Sequence, residues 1–303
     1  MSVRTLVRDV ARRLLHTQDV TNELRRRRLA LKKRFFKRPF SLAETRELLS
    51  QLGVERGRVI WMQSSWNEFY NLPAKPNEVL SLVLDMIGPT GTLAMPAFPI
   101  VQDPTRVLDI DYAPSSTGLL TEIFRRQRGV QRSIHLSASV CALGPAADFL
   151  VRDHHRDSFT WGTQSPYYRL KEVEARAVCL GLGPFVANLT PLHSIECLLY
   201  DEVPYFRQVF GGMVTYQWRR ATGETGSHEY RLRLGRIRMS GFGRHFPRES
   251  YIERRLSNLE TYAIDVRTAI DHGVALGRRG ITMYVEPKPR RELFMNSGVL
   301  SDH

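Results

Sequence analysis

Val59-Ile60-Trp61-Met62, followed by Gln63-Ser64-Ser65, then Glu78 to Ile87, then Thr92-Leu93-Ala94-Met95 closed by Pro96: this stretch decides the fold. Four apolar residues running into a polar cluster predict a short buried strand. Glu78 to Ile87 reads as a helix, and Thr92 to Met95 as the next strand. The alternation continues downstream. Leu119 to Arg126 reads as helix, Ser139 to Leu143 as strand, Ala146 to Asp153 as helix, Ala177 to Leu182 as strand and Pro191 to Tyr200 as helix. Upstream, Ser41-Leu42-Ala43-Glu44 is a capping box whose helix runs to Leu52, with Gly53 as its stop. Strands alternating with helices predict an α/β fold: a central mixed, mostly parallel sheet flanked by helices on both faces, three layers in all. In such sheets the ligand crevice lies at the strand ends.

After Phe206 the pattern changes. Met213 to Arg219 and His228 to Leu234 read as strands with exposed basic faces, Leu256 to Ala275 as a long helix, and Ile281 to Val285 as a last strand. The chain has 303 residues and a net charge of +13, but the charge is unevenly placed. Residues 1–40 hold 13 Lys or Arg against Asp9, Asp19 and Glu23, a net +10. The expected organisation is therefore a basic amphipathic helical arm over 1–40 and one domain over 41–303. Val3, Leu6, Val7, Val10, Leu14 and Leu15 recur at helical spacing among Arg4, Arg8, Arg12 and Arg13, and a second basic stretch runs to Pro39. The pattern suits an anionic membrane surface, with nucleic acid a weaker candidate. The alternative is an arm packed on its own domain or on a second subunit, as in a homo-oligomer.

Several classes are set aside. No run approaches the ~20 apolar residues that span a bilayer, and the N-terminus lacks the apolar core of a secretory signal. Cys141, Cys179 and Cys197 form no pairing framework and read as buried reduced thiols. Gly181-Leu182-Gly183-Pro184 is no dinucleotide fingerprint, and there is no Gly-x-Ser-x-Gly elbow. His154-His155 with Asp153 and Asp157 forms no recognised ligand set, so no metal is expected.

Two polar clusters carry the chemistry: Arg132-Ser133-Ile134-His135 running to Ser139, and Thr190-Pro191-Leu192-His193 running to Glu196. His193 and Glu196 are three apart and share one helix face, where the carboxylate can orient the imidazole and raise its basicity. Such a pair is what a general base needs.

Gly88 to Pro96, Pro114-Ser115-Ser116-Thr117-Gly118 and Ser165-Pro166 stand with these clusters in an order that resembles the aminoglycoside 3-N-acetyltransferase family, from about Ser41 to the C-terminus. The resemblance implies acetyl-coenzyme A as co-substrate and transfer of its acyl group to an amine. It implies His193 as base with Glu196 behind it. Thr190 is placed to donate to the thioester oxygen or to cap the His193 helix. Ser64, Ser65, Thr92, Ser133, His135 and Ser139 are the expected cofactor-side residues, with Ser133, His135 and Ser139 contacting the pantetheine or the acceptor; the alternative for His135 is a structural histidine that holds a loop. Two departures stand out: Gln63 where relatives often have histidine, and Leu136 in place of proline after His135. No dense acidic cluster appears outside Asp201-Glu202 and Glu172 to Glu174, which favours a neutral or anionic amino-sugar-type acceptor or a lipid-linked saccharide over a polycation; a part in antibiotic resistance stays open. The alternative is a catalytically degenerate member that binds membrane or nucleic acid. Because the resemblance is to bacterial enzymes, a cytoplasmic protein, peripheral at the inner face of the membrane, ranks above a mitochondrial one.

Overall fold

The computed structural model describes residues 20–101, 105–186 and 188–294. The amphipathic segment read over Val3 to Leu15 lies outside the described residues. Twelve strands are described: β1 (Val59–Ser64), β2 (Thr92–Pro96), β3 (Leu108–Asp109), β4 (Gln131–Arg132), β5 (Val140–Leu143), β6 (Arg176–Leu180), β7 (Phe210–Arg219), β8 (Thr225–Arg233), β9 (Arg236–Ile237), β10 (Tyr251–Leu256), β11 (Leu259–Asp265) and β12 (Tyr284–Glu286). The main sheet has seven strands in the order β10-β11-β6-β1-β2-β5-β4. β6, β1 and β2 pair parallel, and the outer neighbours pair antiparallel. Followed across the sheet, those pairings leave only β11 and β5 reversed; the other five of the seven strands run one way. The sheet is thus mixed and mostly parallel, as expected.

Strand alternation divides the core into two layers. Ile60, Met62, Leu93, Met95, Val178 and Leu180 face one way, against helices Leu42–Gln51, Pro76–Ile87 and Leu119–Phe124. Trp61, Ala94, Ala142, Ala177 and Cys179 face the other, against helices Pro166–Glu172, Ser194–Leu198 and Val266–Arg278. Helices cover both faces. The Ser41–Glu44 capping box forms, and Gly53 follows its helix at φ +88°. A third cluster lies under the long β7–β8 hairpin, where Tyr216, Trp218 and Tyr230 pack on Leu108, Ile110, Ile134 and Leu136.

Leu256 to Ala275 does not form one helix. Leu256 ends β10, Ser257-Asn258 turn with Ser257 at φ +53°, and β11 runs back before the helix begins at Val266. β11 lies between two other strands with Thr261 to Ile264 buried, and a strand covered on both faces presents a continuous apolar run that also satisfies helical spacing. Pro191 to Tyr200 likewise splits, into a 3-10 turn Thr190–His193 and a helix Ser194–Leu198.

The arm contributes a helix, Val20–Phe35, that stops before Pro39. Its end is fastened to the body. Lys32 pairs with Glu68 at 3.0 Å, Asn71 Nδ2 donates to the Phe36 carbonyl at 2.9 Å, and Ser257 Oγ donates to that of Arg38 at 2.5 Å. Phe40 is only 2% exposed, within the domain core. The end of the arm is thus tied to the domain through Lys32, Phe36 and Arg38, and Phe40 packs in its core.

Candidate active site

The carboxyl ends of β6, β1 and β2 open onto a cavity of about 510 Å³ lined by residues that include Phe98, Trp161, Thr190, His193, Arg233 and Arg238. Gln63, at the end of β1, lies behind two of the lining residues, Asn188 and Thr190. The amide accepts from Trp61 Nε1 at 2.8 Å and from the Thr190 N–H at 3.1 Å, and it donates to the Asn188 carbonyl at 2.8 Å and to Thr190 Oγ1 at 2.9 Å. A primary amide can fill all four positions, and a neutral imidazole offers only one donor and one acceptor. Gln63 is thereby a clamp on the segment that presents Thr190 and His193.

His193 is the last residue of the 3-10 turn and Glu196 sits in the first turn of the following helix. The helix Val266–Arg278 presses on that short helix through Gly273, where a Cβ would come within 2.2 Å of Ile195 Cδ1 and force that side chain aside. His193 Nδ1 lies 2.9 Å from Glu196 Oε1, and Tyr284 Oη donates to the same oxygen at 2.7 Å. Arg233 Nη1 lies 3.0 Å from His193 Nδ1 and 3.4 Å from Nε2. These contacts compete. A carboxylate only accepts and a guanidinium only donates, so the Nδ1 hydrogen goes to Glu196, and the Arg233–Nδ1 approach is packing. Nε2 is left with the lone pair, beside Arg233.

Burial pushes the His193 imidazole below its ordinary range; Glu196 opposes this by charge and hydrogen bond, and Arg233 adds to it. The ring is therefore neutral at neutral pH, which a base requires. Burial, reinforced by the Glu196 charge, pushes the Tyr284 phenol up, so it remains a donor. Trp161 packs on the imidazole at 4.8 Å between ring centroids and on the Arg233 guanidinium at 4.9 Å. Its loop is held by the Asp157 carboxylate, which accepts from the N–H groups of Phe159 and Gln164.

The structure brings His193, Glu196 and Thr190 together, and corrects the capping alternative for Thr190: Leu189 is the cap residue, with no side-chain bond. Ser64 and Ser65 lie at the end of β1, half-buried, and neither hydroxyl has a hydrogen bond among the described residues; the Ser65 N–H is engaged by the Leu180 carbonyl. None of the expected cofactor-side residues is among those that line this cavity. Thr92 opens β2 at the far end of the sheet, 1% exposed, accepting from the Ala146 N–H. Ser139 is fully buried, donating to the Ala97 carbonyl and accepting from Arg132. Ser133, also buried, accepts from the Val140 N–H and bonds His154 Nδ1. His135 is buried with Nδ1 accepting from Ser137 and Ala138, its ring 4.5 Å from that of His154. The Arg132–His135 motif is a seam: Arg132 donates to three carbonyls, of Ala97, Ile110 and Ala113, and ties their loop to β4 and β5. Arg132, Ser133 and Ser139, buried and bonded to backbone, hold that loop, while His135 Nε2 is buried without a partner among the described residues. Leu136 is buried under the hairpin. Cys141 and Cys179 are buried, their thiols pushed up to about 12, while Cys197 is half-buried.

The profile of the family described as aminoglycoside 3-N-acetyltransferase matches residues 62–277, most of the chain and all of the site just described except Tyr284. The chain belongs to the aminoglycoside 3-N-acetyltransferase family. It is accordingly an acetyl-coenzyme-A-dependent N-acetyltransferase. It is 28% identical over 256 residues to aminoglycoside N(3)-acetyltransferase VII of Streptomyces paromomycinus, covering 75% of this chain and 88% of that one. With aminoglycoside N(3)-acetyltransferase IX of Micromonospora chalcea it shares 27% identity over 63% of this chain and 76% of the relative. The fold matches the crystal structure of the aminoglycoside acetyltransferase AAC(3)-Xa with a TM-score of 0.67 at 22% identity, covering 82% of this chain and 96% of that one. It matches AAC-IIIb bound to coenzyme A with a TM-score of 0.67 at 20% identity, over 79% and 97%. No group of His, Cys, Asp and Glu among the described residues is arranged to hold a metal.

Arg233, Tyr284 and Trp161 were not among the expected site residues. Arg233 is 40 residues from His193, and Tyr284 is 88 from Glu196, so no local spacing points to them. The one signal was the basic face of His228 to Leu234, which reads as a solvent face until the hairpin is folded over the cavity.

Proposed function

We propose that His193 Nε2 takes the proton from an amino-sugar-type amine as its nitrogen bonds to the acetyl carbon, and returns it to the departing thiolate. Acetyl-coenzyme A supplies the acetyl thioester. Glu196 holds the ring through Nδ1 and stabilises the imidazolium that forms, and Tyr284 fixes Glu196. Thr190 accepts from Gln63, which leaves its hydroxyl hydrogen to point at the thioester carbonyl oxygen as that atom gains charge. Ser64 and Ser65 offer unengaged hydroxyls at the strand end to the pantetheine arm. The observation that carries the reading is the buried His193 on the cavity wall with Nδ1 2.9 Å from the Glu196 carboxylate.

Solved neighbours hold a gentamicin and apramycin, so aminoglycosides belong in the acceptor panel beside simple amino sugars. The test is coenzyme A release with the panel, with products identified by mass spectrometry. Acetylation of one or more amines is expected. Failure to bind acetyl-coenzyme A at millimolar concentration would favour a degenerate binding module.

A second reading concerns the arm, as a contact with an anionic membrane surface. Leu31 and Phe35 are 55% and 76% exposed beside the exposed Lys33, Arg34 and Lys37, while Lys32 is tied down to Glu68. Each engaged basic residue would contribute roughly 1 kcal/mol on anionic lipid. L31E/F35E in the full chain should abolish sedimentation with phosphatidylglycerol vesicles; unchanged sedimentation would refute it.

A further inference from the structure

The cavity over His193 is lined by two arginines, Arg233 and Arg238, and by no aspartate or glutamate. Other arginines on the same run of chain are used internally. Arg231 stacks on Phe159 and Tyr200, and Arg236 pairs with Glu286. Arg238 is exposed at the cavity, and its guanidinium has no hydrogen bond or ion pair among the described residues. Arg233 is held over Trp161, and among the described residues its one carboxylate neighbour is Glu196 at 3.9 Å, an oxygen that already takes bonds from His193 and Tyr284. A guanidinium 3.4 Å from the lone-pair nitrogen of the base repels an ammonium approaching that nitrogen. A polycation entering here would meet two positive charges, that of Arg233 partly offset by the buried Glu196 carboxylate beneath it, and no carboxylate on the cavity lining. The unengaged guanidinium of Arg238, beside that of Arg233, whose Nη1 already faces His193, is an arrangement that takes a phosphate or a carboxylate.

We infer that this cavity selects an amine whose own molecule carries an anionic group, phosphate or carboxylate, held by Arg233 and Arg238 while the amine faces His193. Phe98, Trp161 and Ile237 supply an apolar wall for the body of the acceptor. The inference rests on the reading of His193 as the base, and names the acceptor class for it. Engagement of Arg233 by the anion would also draw its charge away from Nε2 as the amine arrives.

The test compares two probes that differ only in a phosphate, glucosamine and glucosamine 6-phosphate, titrated calorimetrically into the full chain saturated with coenzyme A. The expected result is at least tenfold tighter binding of the phosphorylated amine, with the ratio falling to near one in R238Q. Arg238 is exposed, so R238Q is expected to fold, and a thermal melt checks this. Equal affinities, a preference for glucosamine, or no binding of either probe would overturn the assignment. So would a R238Q protein in which coenzyme A affinity falls tenfold and the probe ratio persists, since the arginines would then serve the cofactor's phosphates. His193-dependent transfer to an uncharged amine, with no preference for the phosphorylated probe, would leave the base reading standing and remove this inference alone.

Discussion

Replacing Glu196 by glutamine removes the charge behind the base and keeps its shape. Glu196 is fully buried, and its Oε1 receives both His193 Nδ1–H at 2.9 Å and Tyr284 Oη–H at 2.7 Å. Glutamine preserves one acceptor but presents an amide that does not stabilise an imidazolium. A hydrogen bond to a charged partner is worth ~1.5–3 kcal/mol, so at ~1.4 kcal/mol per decade the loss in kcat is roughly ten- to a hundredfold. The direction on pH follows from the same contacts. Burial and Arg233 lower the His193 pKa and Glu196 raises it. Without the carboxylate the ring protonates only at still lower pH, so the acidic limb of the kcat/KM profile moves down in E196Q while the plateau falls. Steady-state acetyl transfer across pH, with a folded-state check by circular dichroism, reads both. A plateau and limb indistinguishable from the native protein's would show that Glu196 does not orient the base.

Gln63→Ala opens a gap behind the site and strands the fully buried Trp61 Nε1–H, which should cost ~1–3 kcal/mol in urea unfolding and lower turnover by freeing Thr190. Burial lowers the pKa of His135 and His228, and that of His154 to about 3, against about 6.5 when unfolded. The unfolded chain then binds more protons, so stability should fall as pH drops from 6.5 towards 5, by as much as ~1.4 kcal/mol per pH unit per histidine; a flat urea midpoint over that window would refute the cluster's neutrality. A chain beginning at residue 41 should be less stable than one beginning at 36 by ~3–5 kcal/mol, because it lacks the buried Phe40; equal urea midpoints would show that Phe40 adds nothing to the domain.

Much of the fold was legible because the strands at its centre are short apolar runs bounded by polar residues. Val59 to Met62 and Thr92 to Met95 each lie within an observed strand. Leu256 to Ala275 misled because a strand buried on both faces has no polar side to betray its period. Of the site, the His193–Glu196 pair was readable from a local spacing of three. Thr92, Ser133, His135 and Ser139 were not separable from ligand-binding residues by sequence, since hydroxyls and imidazoles that satisfy buried backbone groups look the same as those that face a cleft. Arg233 and Tyr284 reach the site only through the hairpin and the last strand, so their part belongs to tertiary structure.

The central claim is that His193 is the base, and His193→Ala tests it most directly, with turnover on the best acceptor of the panel measured beside acetyl-coenzyme A affinity by calorimetry. The predicted result is a fall in kcat of a hundredfold or more, on the order of the usual general-base contribution, partly recovered at high pH where the amine is already neutral, with cofactor affinity nearly unchanged. Near-native turnover in a folded His193→Ala protein would contradict it.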